Sequence, residues 1–127
     1  MCIRDSIYVS SFDDQAITVF QRNEETGAVT LIETQKNNIN GVDGLNGSYQ
    51  VLVSPDGKHV YATGQFDHAV AFFDRDQNTG KLTYRGVYKD NENGIDGLQG
   101  AFLMDMSPDG NYLYVTGSHE NLSLIHI

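Results

Sequence analysis

The chain is an internal duplication. Shifted by 53 positions, residues 7–68 align with residues 60–121 without a gap, and 23 of the 62 pairs are identical. A gapless repeat of this length means one backbone unit built more than once and stacked on its own copies. The identities fall on punctuation: Thr26-Gly27 with Thr79-Gly80, Gly41-Val42-Asp43-Gly44-Leu45-Asn46-Gly47 with Gly94-Ile95-Asp96-Gly97-Leu98-Gln99-Gly100, and Ser54-Pro55-Asp56-Gly57 with Ser107-Pro108-Asp109-Gly110. Between these turns lie short runs rich in Val, Ile, Tyr, Phe and Thr, bounded by Gly, Pro, Asn and Asp, which read as strands rather than helices. In the fullest copy the strands are predicted over 49–54, 58–63, 69–74 and 82–88. Pro55 sets φ for a type I turn and Gly57 accepts the left-handed position after it, so the first two strands form a tight hairpin. Asp76-Gln77-Asn78-Thr79-Gly80 closes a second hairpin, and the long link over 89–100 steps to a neighbouring sheet. A four-stranded antiparallel sheet recurring at this period is the signature of a β-propeller blade. The expected fold class is therefore all-β, a fragment of a β-propeller.

The two ends have a different origin. The hexapeptides 1–6 and 122–127 can be encoded by one short DNA sequence and its reverse complement, as a sequencing adaptor flanking a DNA fragment would produce. They are read as artefact and set aside. Residues 7–40 then supply strands two to four of one blade, 41–93 a complete blade with its preceding loop, and 94–121 strands one and two of a third. The adaptor peptides are expected to add nothing to the sheets beyond casual strand extension.

Three copies of a tetrapeptide carry a family resemblance. Tyr8-Val9-Ser10-Ser11, Tyr61-Ala62-Thr63-Gly64 and Tyr114-Val115-Thr116-Gly117 resemble the YVTN repeat, with Ser or Gly in place of Asn. Together with Ser54-Pro55-Asp56-Gly57-Lys58-His59-Val60-Tyr61, Phe72-Phe73-Asp74-Arg75 and Thr79-Gly80-Lys81-Leu82-Thr83, the chain resembles the seven-bladed lactonase-like propellers of bacteria, the superfamily that includes 6-phosphogluconolactonase. The resemblance implies the fold and, as one option, hydrolysis of a sugar lactone.

Eight Lys and Arg against seventeen Asp and Glu give a net charge of -9, which repels a phosphate backbone and an anionic membrane surface. No apolar run is long enough for a membrane span. The single cysteine, Cys2, lies in an adaptor peptide, so neither a Cys nucleophile nor a Cys-based zinc site is expected. The expected partners are the remaining blades and a small ligand, glycan or protein on the loop face. A secreted or periplasmic location is favoured over a cytoplasmic one.

In a propeller, the links between strands two and three and the links between blades emerge on one face. Here that face is acidic and amide-rich: Asp13, Asp14, Gln15, Asp67, His68, Glu120 and Asn121 from the inner links, with Asn40, Asp43, Asn93 and Asp96 between blades. His68 beside Asp67 suggests a general base oriented by a carboxylate, and His68 is not repeated, since Gln15 and Asn121 take its place in the other copies. Asp105 lies on an inner strand where the other copy has Leu52, and either lines the wet channel or joins a site at its mouth. Asp90, Glu92 and Asp96 offer hard oxygens for Ca²⁺. Their spacing fails the EF-hand pattern, and capping of turns by Asn and Asp explains the loop better. Tyr49, Tyr61, Tyr84, Tyr114 and Phe72 are expected to pack between blades.

Three functions follow. The first is a repeat scaffold that binds a ligand on its loop face, favoured by the symmetry of the copies. The second is a lactonase-like hydrolase using His68, Asp67 and Asp105. The third is a calcium-stabilised secreted surface repeat.

Overall fold

The computed structural model describes residues 5–92, 95, 97–117 and 122–126. Among these residues ten strands run in order: β1 (Asp5–Ser11), β2 (Ala16–Arg22), β3 (Val29–Lys36), β4 (Ser48–Val53), β5 (His59–Gly64), β6 (Ala69–Arg75), β7 (Leu82–Lys89), β8 (Ala101–Met106), β9 (Tyr112–Gly117) and β10 (Leu122–His126). They form three antiparallel sheets ordered β1-β2-β3, β4-β5-β6-β7 and β8-β9-β10. The middle sheet is a whole blade with its strands in sequence order, and its strand ends fall within one residue of those expected.

The turns fold as their residues require. Ser54 Oγ donates to Asp56 Oδ1, which also accepts the Lys58 amide at 2.9 Å, while Gly57 sits at φ 73°. Ser107, Asp109, Asn111 and Gly110 (φ 77°) repeat the arrangement in the next blade. The side chain of each aspartate thus takes the place of a backbone acceptor in its turn.

Two apolar cores lie between the three sheets. Ile17, Val19, Val60, Ala62, Ala71 and Phe73 fill the first, and Tyr61, Val70, Met104, Leu113 and Val115 the second. Each core is closed from the loop face by one leucine of the blade-to-blade loop, Leu45 in the first and Leu98 in the second, both at 0% exposure. The loop above Leu45 passes so close to β5 that a Cβ on Gly64 would collide with the Gly44 carbonyl, and a Cβ on Gly117 would meet the Gln99 carbonyl at 2.7 Å. This accounts for glycine where the YVTN pattern has asparagine.

The chain ends differ from expectation. β1 starts at Asp5, and Ser6 Oγ accepts a hydrogen bond from Arg75 at 3.1 Å. The third sheet has three strands, because Leu122–His126 pairs antiparallel with β9 and buries Ile125. An open sheet edge pairs with any nearby strand-prone segment. The pairing is nevertheless out of phase: Leu122 faces Thr116, whereas its repeat counterpart Ala69 faces Gly64 rather than Thr63. A slip of one residue exchanges the two faces of a strand, so β10 fills the third-strand slot out of phase with β6, its counterpart in the middle blade.

Candidate functional site

The loop face is built from the β1–β2 and β5–β6 links and the two blade-to-blade loops. Both β links end in a left-handed residue, Gln15 at φ 54° and His68 at φ 53°. The residue's carbonyl then accepts the first amide of the following loop, from Asn37 or Asp90, each at 2.9 Å. In that loop Asn37 Oδ1 accepts the Leu45 amide at 3.3 Å, and Asp90 Oδ1 accepts the Leu98 amide at 3.0 Å. These side chains hold the loop in the shape that drives each leucine into its core. Asp90 Oδ2 accepts from Asn91, so both of its oxygens serve the loop, and Glu92 is exposed. Among the described residues no three His, Cys, Asp or Glu side chains gather closely enough to hold a metal ion. Asn93, Asp96, Glu120 and Asn121 lie outside the described residues.

The remaining acids divide by task. Asp43 pairs with Lys89 at 2.7 Å, and that hydrogen bond holds the Lys89 ammonium above the ordinary lysine range. Asp67 Oδ2 accepts the Asn46 amide at 3.1 Å, fastening the β5–β6 link to the loop before the blade. Asp14 is exposed, and Asn40 occupies a left-handed turn position at φ 55°.

His68 has a different partner from the one its sequence neighbour suggested. Its Nδ1 lies 2.9 Å from the Gly100 amide, across to the start of the third blade. A backbone N–H can only donate, so Nδ1 is the acceptor and the neutral ring carries its proton on Nε2. Asp67 is turned to Asn46 instead. His68 is thus a pinned donor at Nε2 rather than a base backed by Asp67. Asp105 is not brought to these residues. It lies four residues along β8 from Ala101, roughly 13 Å toward the Ser107 turn at about 3.3 Å per residue, and its Oδ1 accepts the amide of Met106.

Two aromatic pairs on the loop-face side escaped the sequence reading. Phe12 and Phe66 meet edge to face at 5.2 Å and are 38% and 58% exposed. Tyr49 and Phe102, at the same repeat position on the inner strands β4 and β8, stack with centroids 3.9 Å apart. Each inner strand bulges there, and the hydroxyl of the YVTN threonine fills the gap: Thr63 Oγ1 accepts the Gln50 amide at 3.0 Å and Thr116 Oγ1 accepts the Leu103 amide at 3.2 Å. The visible signal was the recurrence of an aromatic at one position in both copies. Tyr61 packs as expected, and so do Tyr84 against Phe73 and Phe72 against Tyr88. Tyr49 also packs between blades, against Phe102 of the third, although it is 45% exposed; Tyr114 differs, being 39% exposed on the uncovered face of the third sheet.

Sheets of this order, joined by repeated turns and packed face to face, define an arc of a β-propeller. The family model "Lactonase, 7-bladed beta-propeller" matches residues 4–125, and the chain belongs to that family. It is 31% identical over 103 residues to the "Probable 6-phosphogluconolactonase" of Arthroderma benhamiae, a match covering 76% of this chain and 24% of that protein. The periplasmic gluconolactonase PpgL of Pseudomonas aeruginosa superposes with a TM-score of 0.78 at 18% identity, over 95% of this chain and 32% of that one. The chain therefore spans about a quarter to a third of these relatives' length.

Proposed function

We propose that the whole protein is a lactonase-type hydrolase that opens a sugar lactone on the loop face, with this chain contributing one arc of the ring. The observation that carries the reading is the family match along nearly the whole chain, supported by relatives named as lactonases. The scaffold reading rested on repeat symmetry, and His68 breaks that symmetry on the loop face. Hydrolysis of a lactone adds water to the ring carbonyl and places negative charge on its oxygen in the transition state. A fixed N–H donor at that point lowers the barrier. His68, with Nδ1 held by Gly100, presents such a donor at Nε2, and the base that activates water would come from another part of the ring. Tyr49 and Phe102 offer an apolar surface beside the channel for the face of a sugar ring.

The test is a pH-stat assay of the full-length protein with glucono-1,5-lactone and its 6-phosphate, each corrected for spontaneous opening. Acid release well above the background with at least one of them supports the reading. Release equal to background with both overturns it.

A further inference from the structure

Arg75 closes the junction between the first two blades from the side opposite the loop face. Its Nε donates to Tyr8 Oη at 2.7 Å, its Nη1 to the Gly57 carbonyl at 2.9 Å and its Nη2 to Ser6 Oγ at 3.1 Å. Tyr8 in turn donates to the Gly80 carbonyl at 2.7 Å. Three acceptors thus surround one guanidinium: Tyr8 and the Gly57 carbonyl from the repeat, and Ser6 from the terminal hexapeptide set aside above. Their spacing matches the fixed fork of its donors.

Moved one repeat along the chain, these three acceptors become Tyr61, Gly110 and His59. All three line a single cleft of about 200 Å³ between the second and third blades, closed on its other sides by Ser54, Pro55, Asp56, Asp109 and Asn111. Nothing in the repeat required His59 to match Ser6, yet its chemistry fits. His59 Nδ1 lies 3.1 Å from Asp74 Oδ1, and a carboxylate only accepts, so in the neutral ring Nδ1 carries the proton and Nε2 is left as an acceptor. Asp74 is itself held by Arg85 at 3.2 Å, and their counterparts in the first blade, Gln21 and Ile32, carry no charge.

We propose that this cleft is a guanidinium socket, filled in the whole ring by an arginine on the third strand of the third blade, 53 residues after Arg75. The two aspartates in its wall make it a cation site. The Asp56 and Asp109 carboxyls are held below the usual carboxylate range, first by the hydroxyls of Ser54 and Ser107, and both are charged at neutral pH. Burial pushes the Tyr61 phenol up to about 12, so it stays neutral and keeps a lone pair for a donor. β10 occupies the third-strand slot one residue out of phase and does not deliver the guanidinium.

Two measurements test the socket. In the first, residues 122–127 are replaced by the strand 69–75, so that an arginine ends the grafted strand, and the variant is compared with one whose graft ends in glutamine. The arginine graft is expected to melt several degrees higher, and Tyr61→Phe is expected to remove most of that difference. A difference that ignores Tyr61, or none at all, overturns the proposal. In the second, which needs no refolded graft, methylguanidinium is titrated into the unaltered chain carrying ¹³C-labelled tyrosine rings. Saturable shifts of the Tyr61 signals, absent with tetramethylammonium at equal concentration, support the socket. Identical responses to the two cations overturn it.

Discussion

Thr63 Oγ1 in the middle blade donates to the Phe102 carbonyl in the third at 3.1 Å, while accepting the Gln50 amide of its own sheet at 3.0 Å. Ser10, its counterpart in the first blade, donates to the Tyr49 carbonyl of the second at 2.8 Å. The hydroxyl of the YVTN-type repeat is thus a fastener between the second strand of one blade and the bulged inner strand of the next. Gln50 adds a further bridge, donating to the Met104 carbonyl at 3.0 Å and accepting the Met104 amide at 2.7 Å.

Thr63 is fully buried, so Thr63→Val keeps the shape but leaves the Gln50 amide and Phe102 carbonyl unpaired. A loss of about 1–3 kcal/mol is expected in urea unfolding. The same change at Thr116, which is exposed in this chain, is expected to cost clearly less, because water can replace the lost hydroxyl.

Leu45 and Leu98 close the two cores at equivalent positions. Leu45→Ala and Leu98→Ala are each expected to cost about 2–5 kcal/mol through lost burial and the cavity left behind. Equilibrium unfolding of the two single variants checks this. Near-neutral effects would mean that the loops do not seal the cores.

The first-turn aspartates give the fold an acid dependence of known sign. Asp56 and Asp109 have carboxyls lowered on folding, chiefly by hydrogen bonds from Ser54 and Ser107. A lowered folded value means that the stabilising contribution is fully present above the unfolded value near 4 and is lost as pH falls through the folded value. The melting temperature is therefore expected to fall as pH drops below about 4. Asp56→Asn is expected to lower stability at neutral pH and to flatten part of that acid limb in a melting series from neutral to acid pH.

His68→Gln installs the residue of the first blade, Gln15, whose side-chain oxygen accepts from Asn37 at 3.1 Å. A glutamine can accept the Gly100 amide, so the melting temperature of the full-length protein is expected to change little. The glutamine also keeps an amide N–H, so His68→Gln is expected to retain part of the lactone hydrolysis, whereas His68→Glu, which accepts the Gly100 amide but has no N–H to donate, is expected to lose about 100-fold or more, the scale of losing one oxyanion donor. Loss of stability together with activity would reduce His68 to a loop fastener.

Most of the architecture was legible because it was written in the turns. Pro55, Gly57, Gly80 and their repeats fixed where strands end, and the alternation between them fixed the sheets. The site was less legible for a physical reason: a side chain's partner depends on which loops fold together. Asp67 and His68 are neighbours in sequence, yet they bind Asn46 and Gly100 in two different blade-to-blade loops. Asp105 was placed on the right strand, but its distance from the loop face follows from the register of β8. The pairing of Leu122–His126 was not foreseeable from composition, because an unprotected edge accepts a partner by geometry alone.

The three sheets form an open arc whose two ends are uncovered. Val29 and Leu31 on the outer strand at one end are 52% and 59% exposed, and Leu103, Tyr112 and Tyr114 on the third sheet are 48%, 38% and 39% exposed. Uncovered apolar faces and unpaired strand edges drive association, and the head-to-tail contact offered here need not close. Size-exclusion chromatography with light scattering, run over a hundredfold range of concentration, tests this most directly. The expected result is a mass that rises with concentration above that of one chain. A monodisperse 14.1 kDa species at every concentration, unfolding cooperatively at high temperature, would contradict it.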